Sequence, residues 1–362
     1  MEGDYLISMS KPKKKGFTVK NANYSNRSVV VDKDIQLDLE LETYQSISDY
    51  FSNTGEGNGT EAFAFRKETM RRIEQLIERS LICYITKTSN VQGTPAFIDD
   101  SDLTGFSDLV QTTPGNAVDV VIVSNGGAPE ATERIVHLLR EKYETIRFIV
   151  PSNAFSAATL ICFSGDEILM ESQSSLGPID PQVGGIPARA ILRAFEALEV
   201  RLKEEGPRAL TAYMPMLTKY DLHLLEICKS AEDLSKELAS NWLSRYMLKC
   251  DEKDKRVADI VDFFSKYDIH KSHGRSIGRD RAIELGLRVS KMENTEGLFS
   301  LVHSLYNQHL FFFDKTGFYK LFENTRGISW GRTAPTITFQ LPLINPQGMP
   351  QVAPPGPPKQ SN

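Results

Sequence analysis

Short apolar runs alternate with amphipathic segments between residues 62 and 170 of the chain. The apolar runs are typical of buried strands and comprise residues 81–85, 118–123, 146–150 and 167–170. The amphipathic segments carry apolar side chains every three or four positions and predict helices over residues 62–80, 129–143 and 156–163. Strands that alternate with helices in this way indicate βα units around a mostly parallel sheet.

The pattern changes after residue 186, where long segments with helical periodicity predominate. They predict helices over residues 188–205, 210–249, 254–267 and 295–313, with a turn and a short helix that ends at Gly286. We therefore expect an α/β core with a mostly parallel sheet in residues 61–185. A largely helical part follows in residues 186–332.

The two ends of the chain differ from this core in composition. Residues 1–60 are polar, with one alternating stretch at 35–41 that predicts a half-buried strand and a glycine-rich linker at 55–59. Residues 333–362 are rich in proline, which joins neither helix nor sheet interiors, so a disordered tail is expected there.

Composition excludes several classes of function. The 362 residues include 42 basic and 47 acidic side chains, a net charge of −5 that argues against nucleic acid as a partner. No apolar run approaches the roughly 18 residues of a membrane span, and the N-terminus lacks the apolar stretch of a signal peptide. Four cysteines without CxxC spacing indicate a reducing, cytoplasmic setting. Because no HExxH motif or Cys/His cluster is present, we expect neither a metal nor a cofactor.

Three short segments that follow predicted strands are candidates for chemistry. Gly126 and Gly127 can expose backbone N–H groups of an oxyanion hole, or form an ordinary strand–helix turn. Ser156 can be a nucleophile beside the free N–H of Ala157, or a simple helix N-cap. Asp180, next to a proline, can orient an imidazole or form an Asx-turn.

A nucleophilic serine requires a base, and spacing alone does not select one of the six histidines. His270 and His273 lie in a non-periodic loop, where functional side chains are more common than on helices.

Four segments together resemble the serine dehydrogenase proteinase family, a branch of the Clp-protease and signal-peptide-peptidase superfamily with the crotonase-type fold. They are Asp119-Val-Val-Ile-Val-Ser-Asn-Gly-Gly127, Val150-Pro-Ser-Asn-Ala-Phe-Ser-Ala-Ala-Thr-Leu-Ile161, Gly165-Asp-Glu-Ile-Leu-Met170 and Ser175-Leu-Gly-Pro-Ile-Asp-Pro-Gln182. The resemblance extends over about residues 62–310 and is densest over 118–182.

The resemblance implies a Clp/crotonase-like fold and a catalytic triad. It makes Ser156 the nucleophile, Asp180 the acid, and the N–H groups of Gly127 and Ala157 the oxyanion hole. The segment that begins His273-Gly-Arg-Ser is similar to a histidine segment of the family, so His273 is preferred over His270 as the base. Signal-peptide-peptidase relatives use a lysine base instead, which makes Lys203 and Lys219, on charged helical faces, the alternatives.

Taken together, we expect a cytoplasmic serine peptidase that cleaves a peptide or protein substrate through an acyl-enzyme. A homo-oligomer is expected by analogy with Clp-like proteins. Two other readings stay open at the level of sequence. One is a non-catalytic scaffold or regulatory protein that keeps the fold, and the other is acyl-CoA chemistry, which needs no nucleophilic serine.

Overall fold

A computed structural model describes residues 4–6, 20–21, 42–54, 60–89, 96–218, 220, 223–251 and 254–333. Four features predicted from the sequence lie outside these residues: the strand at 35–41, the linker at 55–59, Lys219, and the proline-rich tail beyond residue 333. None of the helices within the described residues is long and apolar enough to cross a membrane.

The described residues form strands and helices along the whole central region. The strands are β1 (Asp4–Leu6), β2 (Lys20–Asn21), β3 (Ser80–Thr86), β4 (Ala117–Val123), β5 (Thr145–Val150), β6 (Asn153–Ala154), β7 (Glu167–Met170), β8 (Ser175–Leu176), β9 (Gln182–Val183), β10 (Ile186–Pro187), β11 (Ile277–Gly278), β12 (Val289–Lys291), β13 (Phe318–Asn324) and β14 (Ser329–Thr333). The helices are α1 (Tyr44–Thr54), α2 (Thr60–Ile77), α3 (Asp102–Thr112), α4 (Pro129–Lys142), α5 (Ala157–Phe163), α6 (Ala188–Glu205), α7 (Pro207–Leu217), α8 (His223–Trp242), α9 (Lys255–Ser265), α10 (Tyr267–His270), α11 (Arg279–Glu284) and α12 (Leu298–Lys315). A π-helical turn (Leu243–Met247) follows α8, and a 3-10 turn (Met292–Asn294) precedes α12.

Nine of the described strands form one sheet in the order β12-β7-β5-β4-β3-β13-β14-β1-β2. Neighbours from β12 to β3 are parallel, and neighbours from β3 to β2 are antiparallel. Chain segments that contain helices join the parallel strands, as βα units require. The predicted α/β fold with a mostly parallel core is therefore confirmed.

Both faces of the parallel half are buried, since successive side chains enter two different hydrophobic layers. In β3, Ile82 and Tyr84 belong to one layer, whereas Leu81, Cys83 and Ile85 belong to the other. Residues of α3, α4, α5, α8 and α9 complete the first layer, and residues of α1, α2 and α12 complete the second. Burial on both faces explains why these strands are largely apolar in the sequence, apart from charged residues such as Asp119 in β4 and Arg147 in β5, which pair with each other.

The helix predicted over residues 210–249 is wrong in its extent. Helix α7 ends at Leu217, α8 begins at His223, and the π-helical turn replaces the end of the predicted helix. Pro215 lies inside α7, two residues before its end. A proline in a helix removes one intrahelical hydrogen bond and clashes with the preceding turn, which favours termination close to it.

Strand β13 lies in the middle of the sheet although only helices are predicted in that part of the sequence. It pairs antiparallel with β3 on one side and with β14 on the other. Its two charged side chains, Lys320 and Glu323, are fully buried and form ion pairs with Asp102 (2.9 Å) and Arg66 (2.6 Å). Charged residues in a sequence argue against a buried strand. Because the partners of Lys320 and Glu323 are more than 200 positions away, the local hydrophobic pattern does not predict β13.

Candidate active site

A small sheet of β6, β8 and β11 brings together the three segments that carry the predicted triad. Strands β6 and β8 are parallel, and β11 is antiparallel to β8. Ser156 follows the end of β6, Asp180 follows the end of β8, and His273 precedes the start of β11. Because β11 runs in the opposite direction, its start lies at the same edge of the sheet as the ends of the other two strands.

Ser156 has a strained backbone. Its φ of 54° and ψ of −119° lie outside the regions that side chains other than glycine ordinarily adopt. The serine stands directly before α5, yet its side chain makes no capping hydrogen bond, so the N-cap reading is not observed. Strain of this kind is concentrated at functional sites, where it holds a reactive side chain in an exposed orientation.

Gly126 packs against the serine turn so closely that no side chain fits there. A Cβ atom at Gly126 would lie 2.6 Å from Ser156 Cβ, 2.6 Å from Phe155 O and 2.9 Å from Ala157 N. Its φ of +96° also favours glycine. The Gly126 N–H donates to Ser124 Oγ over 3.1 Å. Within the glycine loop (residues 124–127), Gly126 therefore allows the loop to approach the turn at Ser156 closely. Its N–H is not available to a substrate, because it is already hydrogen-bonded to Ser124.

Gly127 is paired with a short extended segment at Ile98. The Ile98 N–H donates to Gly126 O (2.8 Å), and the Ala128 N–H donates to Ile98 O (2.8 Å). These bonds use groups on either side of Gly127, whose own N–H points away and has no acceptor among the described residues. A Cβ atom here would lie 2.1 Å from Ile98 O, so this position also requires glycine.

Ala157 supplies a second unpaired N–H beside Ser156. It is the first residue of α5, and the first N–H groups of a helix have no acceptor within it. In the described part of the chain, no hydrogen bond from this N–H is present, whereas Ala158 donates to Phe155 O over 2.9 Å. The structure thus leaves unpaired the two N–H groups that the sequence analysis selects for an oxyanion hole, those of Gly127 and Ala157.

Asp180 and His273 form a direct hydrogen bond. The Nδ1 atom of His273 donates to Asp180 Oδ1 over 2.9 Å, and Gln182 Nε2 lies 3.4 Å from the other carboxylate oxygen. The Asp180 side chain is 2% exposed and that of His273 is 27% exposed. A neutral imidazole that donates through Nδ1 keeps its lone pair on Nε2, where it can accept a proton.

Helices α8 and α9 hold the backbone next to Asp180. The Ile179 N–H donates to Phe264 O (2.9 Å), and Ser235 Oγ donates to Ile179 O (2.7 Å). These two hydrogen bonds fix the N–H and the C=O of Ile179, and so position the side chain of the next residue, Asp180. The helical part of the chain therefore positions the acid as well as carrying the histidine.

The alternative bases have other partners or lie elsewhere. His270 is 3% exposed, and its Nε2 donates to Phe263 O over 2.7 Å. Burial lowers the pKa of His270, which favours a neutral structural ring. Lys203 forms an ion pair with Glu199 (2.6 Å) on an exposed part of α6, and Lys219 lies outside the described residues.

The predicted nucleophile and the predicted base are not in direct contact through a hydrogen bond in the described part of the chain. No hydrogen bond between Ser156 Oγ and His273 is present among the contacts of the described residues. In enzymes without substrate, catalytic hydrogen bonds are often long and shorten in the reacting complex.

The residues that pack against the glycine loop are not marked by any motif in the sequence. Ile98 pairs with the loop, and Tyr84, Asp102 and Lys320 form a buried polar cluster next to it. The cluster spans β3, α3 and β13, so no local motif marks it. The aromatic content of β13, which is typical of strands, is the one signal that could have located Lys320.

The model of a family described as ClpP-like SDH-type serine proteinase matches residues 58–312, which is more than half of the chain. The chain belongs to this family. The description of the family is that of a serine proteinase. Strands β13 and β14 lie beyond the matched residues.

Two uncharacterised proteins of Methanocaldococcus jannaschii are similar in sequence. One is 28% identical over 160 residues, which is 42% of this chain and 55% of that protein. The other is 39% identical over 79 residues, which is 22% of this chain and 28% of that protein. The chain thus spans about half of the first relative and less of the second.

Two solved structures match parts of this chain. A membrane-bound stomatin-specific protease, 1510-N, matches with a TM-score of 0.32 and 16% identity, over 53% of this chain and 74% of that chain. A ClpP1 variant from Listeria monocytogenes matches with a TM-score of 0.33 and 13% identity, over 63% of this chain and 99% of that chain.

Proposed function

We propose that this protein is a serine peptidase that cleaves peptide bonds with Ser156 as nucleophile, His273 as base and Asp180 as the acid that orients the base. The hydrogen bond of 2.9 Å between His273 Nδ1 and Asp180 carries the proposal, because it leaves Nε2 free to accept a proton at the sheet edge that Ser156 shares. Family membership supports the same reaction class.

In the first step Ser156 Oγ attacks the carbonyl carbon of the scissile bond, and His273 Nε2 takes the hydroxyl proton. The carbonyl oxygen becomes an oxyanion that accepts hydrogen bonds from the N–H groups of Gly127 and Ala157. Collapse of this intermediate breaks the C–N bond, and His273 returns the proton to the leaving amine.

The product of this step is an ester between Ser156 and the acyl part of the peptide. Water then attacks the ester while His273 accepts its proton, and a second oxyanion forms in the same place. When this intermediate collapses, the proton returns to Ser156 Oγ and the carboxylic acid is released. The reaction therefore needs water and no other reagent.

Labelling with a fluorophosphonate probe, followed by mass mapping of the modified residue, tests the nucleophile. We expect the label on Ser156 in the wild type and no label in Ser156→Ala. Ser152→Ala is the matched control, since Ser152 is another partly exposed serine in the same region, and it should retain the label. A folded wild type without label would contradict the proposal and favour a non-catalytic fold.

The choice of base is tested with the same probe. His273→Ala should slow labelling by roughly 100-fold or more, because general-base catalysis is worth about that factor. His270→Gln, which keeps a donor for the Phe263 carbonyl, should label within about threefold of the wild type. The reverse pattern would assign the base to His270.

Cleavage of peptide bonds is tested by incubation with a mixture of unmodified peptides and mass analysis of new termini. We expect products from the wild type and none from Ser156→Ala. Label on Ser156 without peptide products would contradict the peptidase and point to another acyl substrate.

We further propose a cytoplasmic location. All four cysteines are free thiols, and Cys83, Cys162 and Cys228 are buried. This is the state expected in a reducing compartment. Fractionation of cells that express the protein would check it, and recovery from a secreted fraction would contradict it.

A further inference from the structure

A fully buried lysine lies beneath the glycine loop. Lys320 is 0% exposed, and its ammonium contacts both oxygens of Asp102, at 2.9 and 3.1 Å. It also donates to Phe97 O (2.6 Å) and to Asp99 Oδ2 (3.2 Å). An ammonium has three N–H donors, so the charge is fully paired in a place where an unpaired charge would be costly.

One route from Lys320 to the glycine loop passes through the extended segment at Ile98. The lysine holds the residue before Ile98 through the Phe97 carbonyl and the residue after it through the Asp99 carboxylate. Ile98 in turn accepts from Ala128 N–H and donates to Gly126 O, both over 2.8 Å. The segment that pairs with Gly127 is therefore held in place by a charge from β13.

A second route passes through side chains. Tyr84 donates its hydroxyl to Asp102 Oδ2 over 2.8 Å, and Asp102 is the main partner of Lys320. Burial, followed by Asp102, raises the pKa of Tyr84, whereas the neighbouring Ser124 side chain lowers it. Ser124 Oγ accepts from Gly126 N–H over 3.1 Å. Both routes thus end at the backbone around Gly127.

We propose that Lys320 is a positioning residue of the peptidase, which fixes the glycine loop so that the Gly127 N–H faces the developing oxyanion. The inference rests on the proposed function, since it assigns a role within that reaction. Lys320 does not touch Ser156, and it acts through Ile98 and Tyr84.

The physical reason is the narrow tolerance of an oxyanion hole. Its donors must lie about 2.7–3.1 Å from the oxygen as charge develops, and loss of one donor costs about 10²- to 10³-fold in rate. Gly127 has no side chain and its N–H has no acceptor among the described residues, so its orientation depends on the segments packed around it. A charge buried in the sheet is a rigid anchor for those segments.

The test compares Lys320→Met with the wild type in fluorophosphonate labelling of the full chain. We expect the maximal labelling rate to fall at least tenfold while the concentration for half-maximal rate changes less than about threefold, because the oxyanion forms only in the reacting complex. Tyr84→Phe interrupts the second route alone with little change of volume, and it should give a smaller loss in the same direction.

Two further variants separate positioning from stability. Arg66→Met is the matched control, because Arg66 pairs with Glu323 of the same strand and is equally buried, in the opposite hydrophobic layer. It should lower the melting temperature but leave the labelling rate of folded protein unchanged. Lys320→Met/Asp102→Asn removes both charges and should recover stability without recovering the rate. Recovery of rate together with stability would overturn the proposal.

Hydrogen exchange followed by mass spectrometry tests the same idea without activity. Peptides that cover residues 96–99 and 124–128 should exchange at least tenfold faster in Lys320→Met than in the wild type, but not in Arg66→Met. Unchanged exchange in these peptides would overturn the role of Lys320 even if Ser156 is labelled. An unlabelled wild type with faster exchange in Lys320→Met would instead contradict the peptidase and support the anchoring role.

Discussion

His273 donates through Nδ1 to Asp180 Oδ1 over 2.9 Å, although 93 positions separate the two residues in the chain. The carboxylate is almost completely buried, while about a quarter of the imidazole remains exposed. The bond therefore fixes the ring orientation from the protein side and leaves part of the ring accessible to a substrate.

Asp180→Asn should remove most of the reactivity of Ser156 while the fold is kept. An amide in this place can donate to Nδ1 and so favours the tautomer with a proton on Nε2, which cannot act as a base. We expect fluorophosphonate labelling to slow by about 10³-fold or more. Asp268→Asn is the control, an exposed aspartate of the same region, and labelling as fast as in the wild type is expected there.

Ser156→Gly should be more stable than Ser156→Ala. Both substitutions remove the nucleophile, but only glycine relieves the strain at a φ of 54°. We expect a difference of about 1 kcal/mol in the free energy of unfolding, measured with urea. Equal stability of the two variants would show that the turn stores no strain at this residue.

Gly126→Ala should strongly slow the labelling of Ser156. The added Cβ would lie 2.6 Å from Ser156 Cβ, so the serine turn or the glycine loop must move. We expect at least a 100-fold loss of rate, as for loss of an oxyanion donor. Gly286→Ala is matched in backbone strain, with φ +92° against +96°, but no atom lies within 4 Å of its added Cβ. It should cost stability and leave labelling intact.

Glu171 should make stability fall as pH rises from about 4.5 to about 7. Burial, and then the nearby charge of Glu293, raises the pKa of this carboxyl from 4.5 to about 7, while Arg279 opposes the change. His303 Nδ1 lies 3.9 Å away.

The folded state binds the Glu171 proton more tightly than the unfolded state, so deprotonation at higher pH favours unfolding. Relative to the wild type, Glu171→Gln should therefore gain about 1–3 kcal/mol between pH 5 and pH 8. Urea unfolding at several pH values measures this gain. Glu284→Gln, which replaces an exposed carboxylate, should show no such trend.

Arg66→Met should destabilise the fold by about 3–5 kcal/mol at neutral pH, because the buried carboxylate of Glu323 loses its bidentate guanidinium partner and keeps, among the described residues, only His309 and Ser329 beside it. Burial alone would raise the pKa of Glu323, but the Arg66 charge outweighs it and holds the pKa below its ordinary value. The stability from this pair is present above the unfolded pKa and is lost in acid. The cost of the substitution should accordingly shrink towards pH 4, as measured by urea unfolding.

Four of the five parallel strands follow from periodicity alone, because burial on both faces leaves largely apolar runs at β3, β4, β5 and β7, whereas β12 has only three residues and shows no pattern. Helix α3 is different. It contains Gly105, which disfavours a helix, yet the Phe322 ring packs so closely that an added Cβ would lie 2.5 Å from it. That requirement comes from a strand more than 200 positions away, so local propensity cannot reveal it.

In the candidate site too, some features can be predicted from the local sequence and others depend on distant strand pairing. Glycines before a helix and a serine at a helix start can be read from spacing, and the structure packs Gly126 against Ser156 and Ala157. The choice between His270 and His273 depends on the pairing of β8 with β11, which places His273 beside Asp180. Periodicity contains no information on that pairing.

The position of β13 has a consequence for synthesis of the chain. The parallel strands from β3 to β7 are complete by residue 170, but the edge of β3 stays unpaired until residues 318–324 have left the ribosome. An unpaired edge is prone to association with other strands, so a nascent chain carries that exposure while residues 171–317 are synthesised. The same late strand delivers Lys320, so the polar cluster beneath the glycine loop is assembled only after residues 318–324 have been made.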